Sequence, residues 1–149
     1  MKLEEEIKQK EFGSEHHKLL LNVIFTSAWI NSFHTQMLKP HGISSQQFNI
    51  LRILRGQHPK PAQVNLLIDR MLDKMSNASR LVEKLRLKGL VERHTCPNDR
   101  RAVNVIITQK GLDLLKTLDK TESKWSSIFE NISQSEAKQV NRILDKFRG

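Results

Sequence analysis

The chain has no tyrosine, a single cysteine, and only four prolines and six glycines in 149 residues. Cys96 alone can form neither an internal disulfide nor a cysteine-built zinc site, and it points to a reducing, cytoplasmic setting. No apolar run exceeds three residues, Leu19-Leu20-Leu21 being typical, which excludes an apolar membrane-spanning helix. The first residues include Glu4, Glu5 and Glu6 where a secretory signal has a basic stretch and an apolar core, so no signal is expected. A Gly-rich phosphate loop, a His-Glu-x-x-His motif, a nucleophile elbow and a close carboxylate pair in an apolar setting are all missing. An enzyme is therefore not expected, nor a cofactor or a metal site. What is present, 38% hydrophobic and 28% charged residues, suits one globular domain with helical extensions.

Charge is unevenly placed. The net is +9, yet residues 1–38 carry 4 basic and 5 acidic side chains, and residues 111–149 carry 7 and 6. Residues 39–110 carry 14 basic and 5 acidic, so the excess sits in the middle. A Lys-rich solubilising surface would be spread along the chain. A concentrated basic excess on a short globular segment is instead the electrostatic footprint of a polyanion binder, which puts nucleic acid ahead of a solubilising surface. The boundaries follow the charge: an N-terminal helical region at 1–38, a DNA-binding unit at 39–110 and C-terminal helices at 111–149.

Hydrophobic spacing predicts a mainly α fold with a small β-hairpin. Leu20, Ile24, Phe25, Ala28, Trp29 and Phe33 recur at helical spacing over about Glu4 to Leu38, with a break near Gly13 and Ser14. Pro40-His41-Gly42 ends that helix, and Ser44 with Gln47 forms a capping box that opens a second, running to Gly56. A third helix is expected over about Pro61 to Leu72, with Val64, Leu67, Ile68 and Met71 on one side. A fourth is expected from Lys74, capped by Asp73, to Gly89. In it Ala78, Leu81, Val82 and Leu85 make a core stripe, while Ser76, Ser79, Arg80, Glu83, Lys84 and Leu87 fall outward. Such an outward face also suits plain solvation. Small hydroxyls beside an arginine, however, let a helix approach a major groove and reach a guanine edge or a phosphate.

After Gly89 the period changes to two. Leu90 to Thr95 reads as one strand, and Val103, Val105 and Ile107 mark another. Between them Cys96-Pro97-Asn98-Asp99-Arg100-Arg101 forms a turn-rich basic tip. Two helices followed by a hairpin make a winged helix-turn-helix, in which a wing arginine can enter the adjacent minor groove. Asp99 can pair with Arg101 and hold its guanidinium in one pose. A merely solvated loop is the other reading of this tip.

The run from Leu81 to Arg93, the tip Pro97-Asn98-Asp99-Arg100-Arg101 and the stretch Thr108-Gln109-Lys110-Gly111 together resemble the MarR family of bacterial transcriptional regulators. The resemblance implies a homodimer on pseudo-palindromic duplex DNA, with N- and C-terminal helices forming the dimer interface. It implies a repressor released by a small ligand, and it places Ser76, Asn77, Ser79 and Arg80 in the recognition-helix region and Asp99 and Arg101 at the wing pair; with Lys74, Lys84 and Arg100 these are the candidate DNA-binding residues. Asn77-Ala78-Ser79 stands where many members carry Thr-Val-Thr, which leaves base preference open.

The flanks bear on the dimer and on an effector. Thr108 is expected to cap a helix continuing to about Phe129, and Ser133 with Glu136 a last helix bearing Ala137, Val140, Ile143, Leu144 and Phe147. Apolar stripes outside the winged core need a cover, either a second copy or their own domain. Trp29, Phe33 and Met37, with Phe48, form a candidate cleft for a small aromatic effector, although the same spacing suits plain core. Cys96 reads as an incidental loop residue. Peroxide-sensing relatives carry theirs near the N-terminus with supporting tyrosines, which are lacking here. Adjacent His16 and His17 diverge by about 100° on a helix and cannot easily share an ion. The competing functional reading is a winged-helix architectural or protein-interaction module without strong sequence specificity.

Overall fold

The computed structural model describes residues 1–96, 99–121 and 126–149, with the backbone alone for Cys96 and residues 99–102. A short helix α1 (Leu3–Glu6) precedes the long α2 (Glu15–Leu38). Ser14 caps α2, accepting from the His17 N–H at 3.1 Å, so the helix breaks at the Gly13-Ser14 step that the sequence marks. A 3-10 turn (Lys39–His41) ends at Gly42, whose φ of 66° is left-handed. Helix α3 (Ser45–Gln57) opens on the predicted reciprocal box. The Ser44 hydroxyl accepts from Gln47 N–H at 3.2 Å, and the Gln47 side chain accepts from Ser44 N–H at 3.0 Å.

Two helices start later than expected. Ala62–Gln63 is a strand, β1, and helix α4 covers only Val64–Arg70. Ala62 pairs with Val105 and Gln63 with Asn104, so a sheet edge captures residues read as the start of a helix. Ile68, expected on the core stripe of that helix, is 41% exposed. Helix α5 is Ala78–Leu87 and starts four residues after Lys74, because Asn77 rather than Asp73 is its cap. Its other end is a Schellman motif around Gly89, whose φ is 69°. Gly89 N–H donates to Arg86 C=O at 2.8 Å and Leu90 N–H to Leu85 C=O at 3.0 Å.

Strands β2 (Val91–Cys96) and β3 (Asp99–Ile107) pair antiparallel, with Val91 opposite Ile107 and Thr95 opposite Val103. The sheet order is β1-β3-β2. The wing is thus a hairpin with a third, two-residue strand that the sequence reading lacks. Helix α6 (Gln109–Asp119) is capped by Thr108 as expected but ends well before Phe129. Thr121 donates both its N–H and its hydroxyl to Leu118 C=O, at 2.9 and 2.7 Å, and this closes the last turn. Residues 122–125 of that expected helix lie outside the described residues. Helix α7 (Gln134–Arg148) opens on the predicted Ser133–Glu136 box.

One core holds the middle of the chain together, running from Leu38 to Leu118. Ile50, Leu51 and Leu54 of α3 meet Leu67 of α4, Val82 and Leu85 of α5, Val105 of β3 and Leu115 of α6, all within 1% of complete burial. Each such side chain contributes about 1.5–3 kcal/mol on burial. Arg55 of α3 grips Asp119 through two nitrogens, at 2.6 and 3.3 Å, fastening the end of α6 to this unit. Helix α7 contributes no buried residue at all.

Candidate nucleic-acid interface

The turn joining α4 to α5 is built around Asp73. Its carboxylate accepts from Met75 N–H at 3.0 Å, the Ser76 hydroxyl at 2.7 Å and the Gln46 side chain at 3.4 Å. The Ser76 bond first, then Gln46 and Met75, holds its pKa below the ordinary 3.8. A lowered carboxylate pKa stabilises the turn above that ordinary value. The contribution fades only as pH falls through the still lower folded value, so the turn is intact at neutral pH. Asn49 of α3 accepts from Leu72 N–H at 2.9 Å, and the Lys74 ammonium caps the exposed carbonyls of Ile68 and Asp69 at the end of α4.

These bonds sort the candidate side chains. Lys74, Ser76 and Asn77 are engaged in making the turn and the cap, Asn77 Oδ1 accepting Arg80 N–H at 3.0 Å. Ser76 precedes the helix instead of standing on its outer face. Ser79, Arg80 and Lys84 are exposed on the side of α5 opposite the buried Ala78, Val82 and Leu85. The first turn of α5 contains no acidic residue, so the partial positive charge of the helix start adds to that of Arg80.

Glu83 divides the remaining charge. It accepts from Arg86 at 2.8 and 3.0 Å and faces Arg93 of β2 at 3.8 Å. Arg86 chiefly, then Arg93, lowers its pKa. One carboxylate thereby neutralises much of two cations and ties the wing to α5. Arg80 and Lys84 meet no carboxylate among the described residues. Helical spacing places Glu83 on the outer face of α5, and its pairing with a strand ten residues away carries no local signal. Asp73, expected as a helix cap, holds the turn instead, a role that the Asp-x-x-Ser spacing supports as readily.

Between α4, α5 and the wing strands lies a cleft of about 310 Å³ lined by Gln63, Asn65, Ile68, Ser79, Val82 and Arg93 among others. The side chains of Cys96, Asp99, Arg100 and Arg101, and the whole of Pro97 and Asn98, lie outside the described residues.

The four effector candidates do not share one cavity. Phe33 and Met37 line a cleft of about 320 Å³ with Gln36, Pro40, His41 and Thr121. Trp29 lines another, of about 200 Å³, beside Leu3 and Phe25. The Phe48 ring packs edge-to-face on His34 at 5.3 Å, with the Arg52 guanidinium 5.8 Å away. Burial pushes the His34 pKa down. Among the described residues no group of three His, Cys, Asp or Glu is gathered for a metal.

The family model for the MarR family matches residues 41–102, the segment from the end of α2 to the wing. The transcriptional repressor MprA of Escherichia coli (strain K12) is 29% identical over 112 residues, which are 74% of this chain and 64% of MprA. This chain therefore spans less than two thirds of that relative. The crystal structure of a MarR transcription factor from Planctomyces limnophilus superposes with a TM-score of 0.70 at 27% identity, covering 91% of this chain and 98% of that one. A mutant MarR from E. coli in complex with operator DNA has the same fold, with a TM-score of 0.77 at 20% identity over 93% of this chain and 99% of its own. Together with the α4–turn–α5 unit and the three-stranded wing, these likenesses show that the chain is similar to the MarR family in the matched segment and in its fold.

Proposed function

We propose that this protein is a dimeric, cytoplasmic transcriptional regulator that binds duplex DNA and represses from a pseudo-palindromic operator. It is not an enzyme on this reading. The observation that carries it is the pair of exposed cations on α5, Arg80 and Lys84, which meet no carboxylate among the described residues while Glu83 occupies Arg86 and Arg93. Asp99, Arg100 and Arg101 belong to the same surface on this reading, as the wing's approach to the minor groove. No helix among the described residues is long and apolar enough to cross a membrane.

Fluorescence anisotropy on about 30 bp of duplex from upstream of its own gene, against a scrambled duplex, tests it. The expected result is a strong preference for the upstream duplex at two chains per site. Equal, steeply salt-dependent binding to both would favour the architectural module. In the same assay Lys84→Ala is expected to weaken binding to both duplexes alike. It should also flatten the slope of log affinity against log salt by about one unit, the signature of one lost phosphate contact. An unchanged slope would remove Lys84 from the interface.

The dimer is supported by the flanks. Val140, Ile143 and Phe147 form an apolar stripe on α7, exposed at 49%, 49% and 55%, and Leu20 and Ile24 of α2 are exposed as well. A second copy covers such stripes and sets two α5 helices at half-sites roughly 34–36 Å apart. Light scattering should give twice 17.3 kDa for the wild type. Ile143→Glu with Phe147→Glu should yield single chains with strongly weakened operator binding. A variant that stays at the double mass would refute this interface. The cleft of about 320 Å³ beside Phe33 and Met37 is of the size that holds a small aromatic effector, and such a ligand is proposed to release the DNA.

A further inference from the structure

The turn between α4 and α5 displays the two most exposed large apolar side chains among the described residues, Leu72 at 88% and Met75 at 94%. Their exposure does not come from a loose backbone. Leu72 N–H is held by Asn49 and Met75 N–H by Asp73, at 2.9 and 3.0 Å. A lone apolar residue on a surface ordinarily needs no explanation. Met75 differs because of its place. It stands two residues ahead of the Asn77 cap, at the end of α5 that carries Ser79 and Arg80, whereas Leu72 sits at the α4 end of the turn.

The polar groups around Met75 are already engaged: the Lys74 ammonium on α4 carbonyls, the Ser76 hydroxyl on Asp73, and Asn77 Oδ1 on Arg80 N–H. What this end of the helix presents outward is a hydroxyl, a guanidinium and a thioether side chain. In a major groove the hydroxyl and guanidinium meet hydrogen-bonding base edges, and the apolar group available there is the C5-methyl of thymine. An unbranched, polarizable methionine adapts to such a contact without demanding one fixed pose.

We propose that Met75 is a specificity-determining residue that reads thymine by packing on its C5-methyl group. The proposal deepens the DNA-binding reading and rests on it. The full-length protein is used to enrich one duplex from a randomised 30 bp pool. Each thymine of that duplex is then replaced singly by deoxyuridine, which removes the methyl and leaves base pairing unchanged. In the wild type, one or two positions per half-site should lose about fourfold in affinity, the effect of one buried methyl group. Met75→Ala should lose affinity on the parent duplex and become indifferent to deoxyuridine at those same positions, while Met75→Leu keeps the penalty. Light scattering and thermal melting of Met75→Ala should match the wild type, as its exposure requires.

Equal deoxyuridine penalties in wild type and Met75→Ala would overturn the assignment, as would a wild type insensitive at every thymine. A Met75→Ala variant with an altered mass would place Met75 in an interface between copies and overturn it too. If no duplex is enriched at all, the DNA-binding reading itself falls, and the proposal with it.

Discussion

Arg80→Ala is expected to cost the preferred duplex about 1–3 kcal/mol, a loss of about 5- to 150-fold, and to cost a scrambled duplex much less. The difference between the two duplexes is the informative quantity. Arg80 is the third residue of α5, its backbone N–H fixed by the Asn77 cap at 3.0 Å, so its side chain departs from an ordered first turn. Its guanidinium is not spent on a carboxylate among the described residues, unlike that of Arg86. A planar fork at this place can take a guanine's two acceptors through parallel N–H bonds in one fixed pose, whereas an ammonium on a flexible stem reaches them without that fixed geometry. Arg80→Lys therefore retains charge but should lose part of the discrimination, keeping a salt dependence close to that of the wild type. If Arg80→Ala weakens the preferred and the scrambled duplex equally, Arg80 serves phosphates alone and base reading lies elsewhere on α5 or the wing.

The sequence made some of this site legible and hid the rest for local physical reasons. The buried stripe of α5 is plain because Ala78, Val82 and Leu85 repeat with the helical period and all three are core. The boxes at Ser44 and Ser133 are plain because a cap and its partner lie three residues apart. By contrast Asp73 looks like a cap, and its rival Asn77 four residues later takes that role because Asp73 is consumed by Met75 and Ser76. Strand β1 has two residues and hence no period to read, and its pairing with Val105 lies more than forty residues away. The aromatic quartet shows how spacing misleads over distance. Each i, i+4 step on a helix drifts by about 40°, so Trp29 and Met37 face different directions, and the two line different clefts. Phe48 lies on α3 against His34, a neighbour that no spacing rule supplies.

Gly111→Ala is expected to destabilise the fold by about 1–3 kcal/mol, a fall of about 3–10 °C in Tm at fixed protein concentration. A Cβ at Gly111 would sit 2.4 Å from the Leu90 carbonyl oxygen and 2.7 Å from Ile107 Cγ1. The first of these is backbone, clamped by two strands and the Schellman turn, and cannot step aside. The reason for the closeness is visible in the neighbours. The Thr108 hydroxyl donates to Gly89 C=O at 2.8 Å, Thr108 N–H to Leu90 C=O at 3.1 Å, and the Lys110 ammonium to Lys88 C=O at 2.8 Å. The Thr-x-Lys-Gly stretch is thus a backbone latch. Threonine and lysine cap the carbonyls that end α5, and glycine lets α6 lie directly on them. It fixes the wing at its root and so sets where β2 and β3 leave α5. Gly56→Ala is the matched control, since a Cβ there meets nothing within 4 Å near the end of α3. That change should stabilise by up to about 1 kcal/mol through helix propensity. If both variants melt together, the clash is absorbed by movement of α6 and the latch is softer than its geometry states. If Gly111→Ala alone falls, its DNA binding should fall with it wherever the wing contributes, because the wing's root has moved.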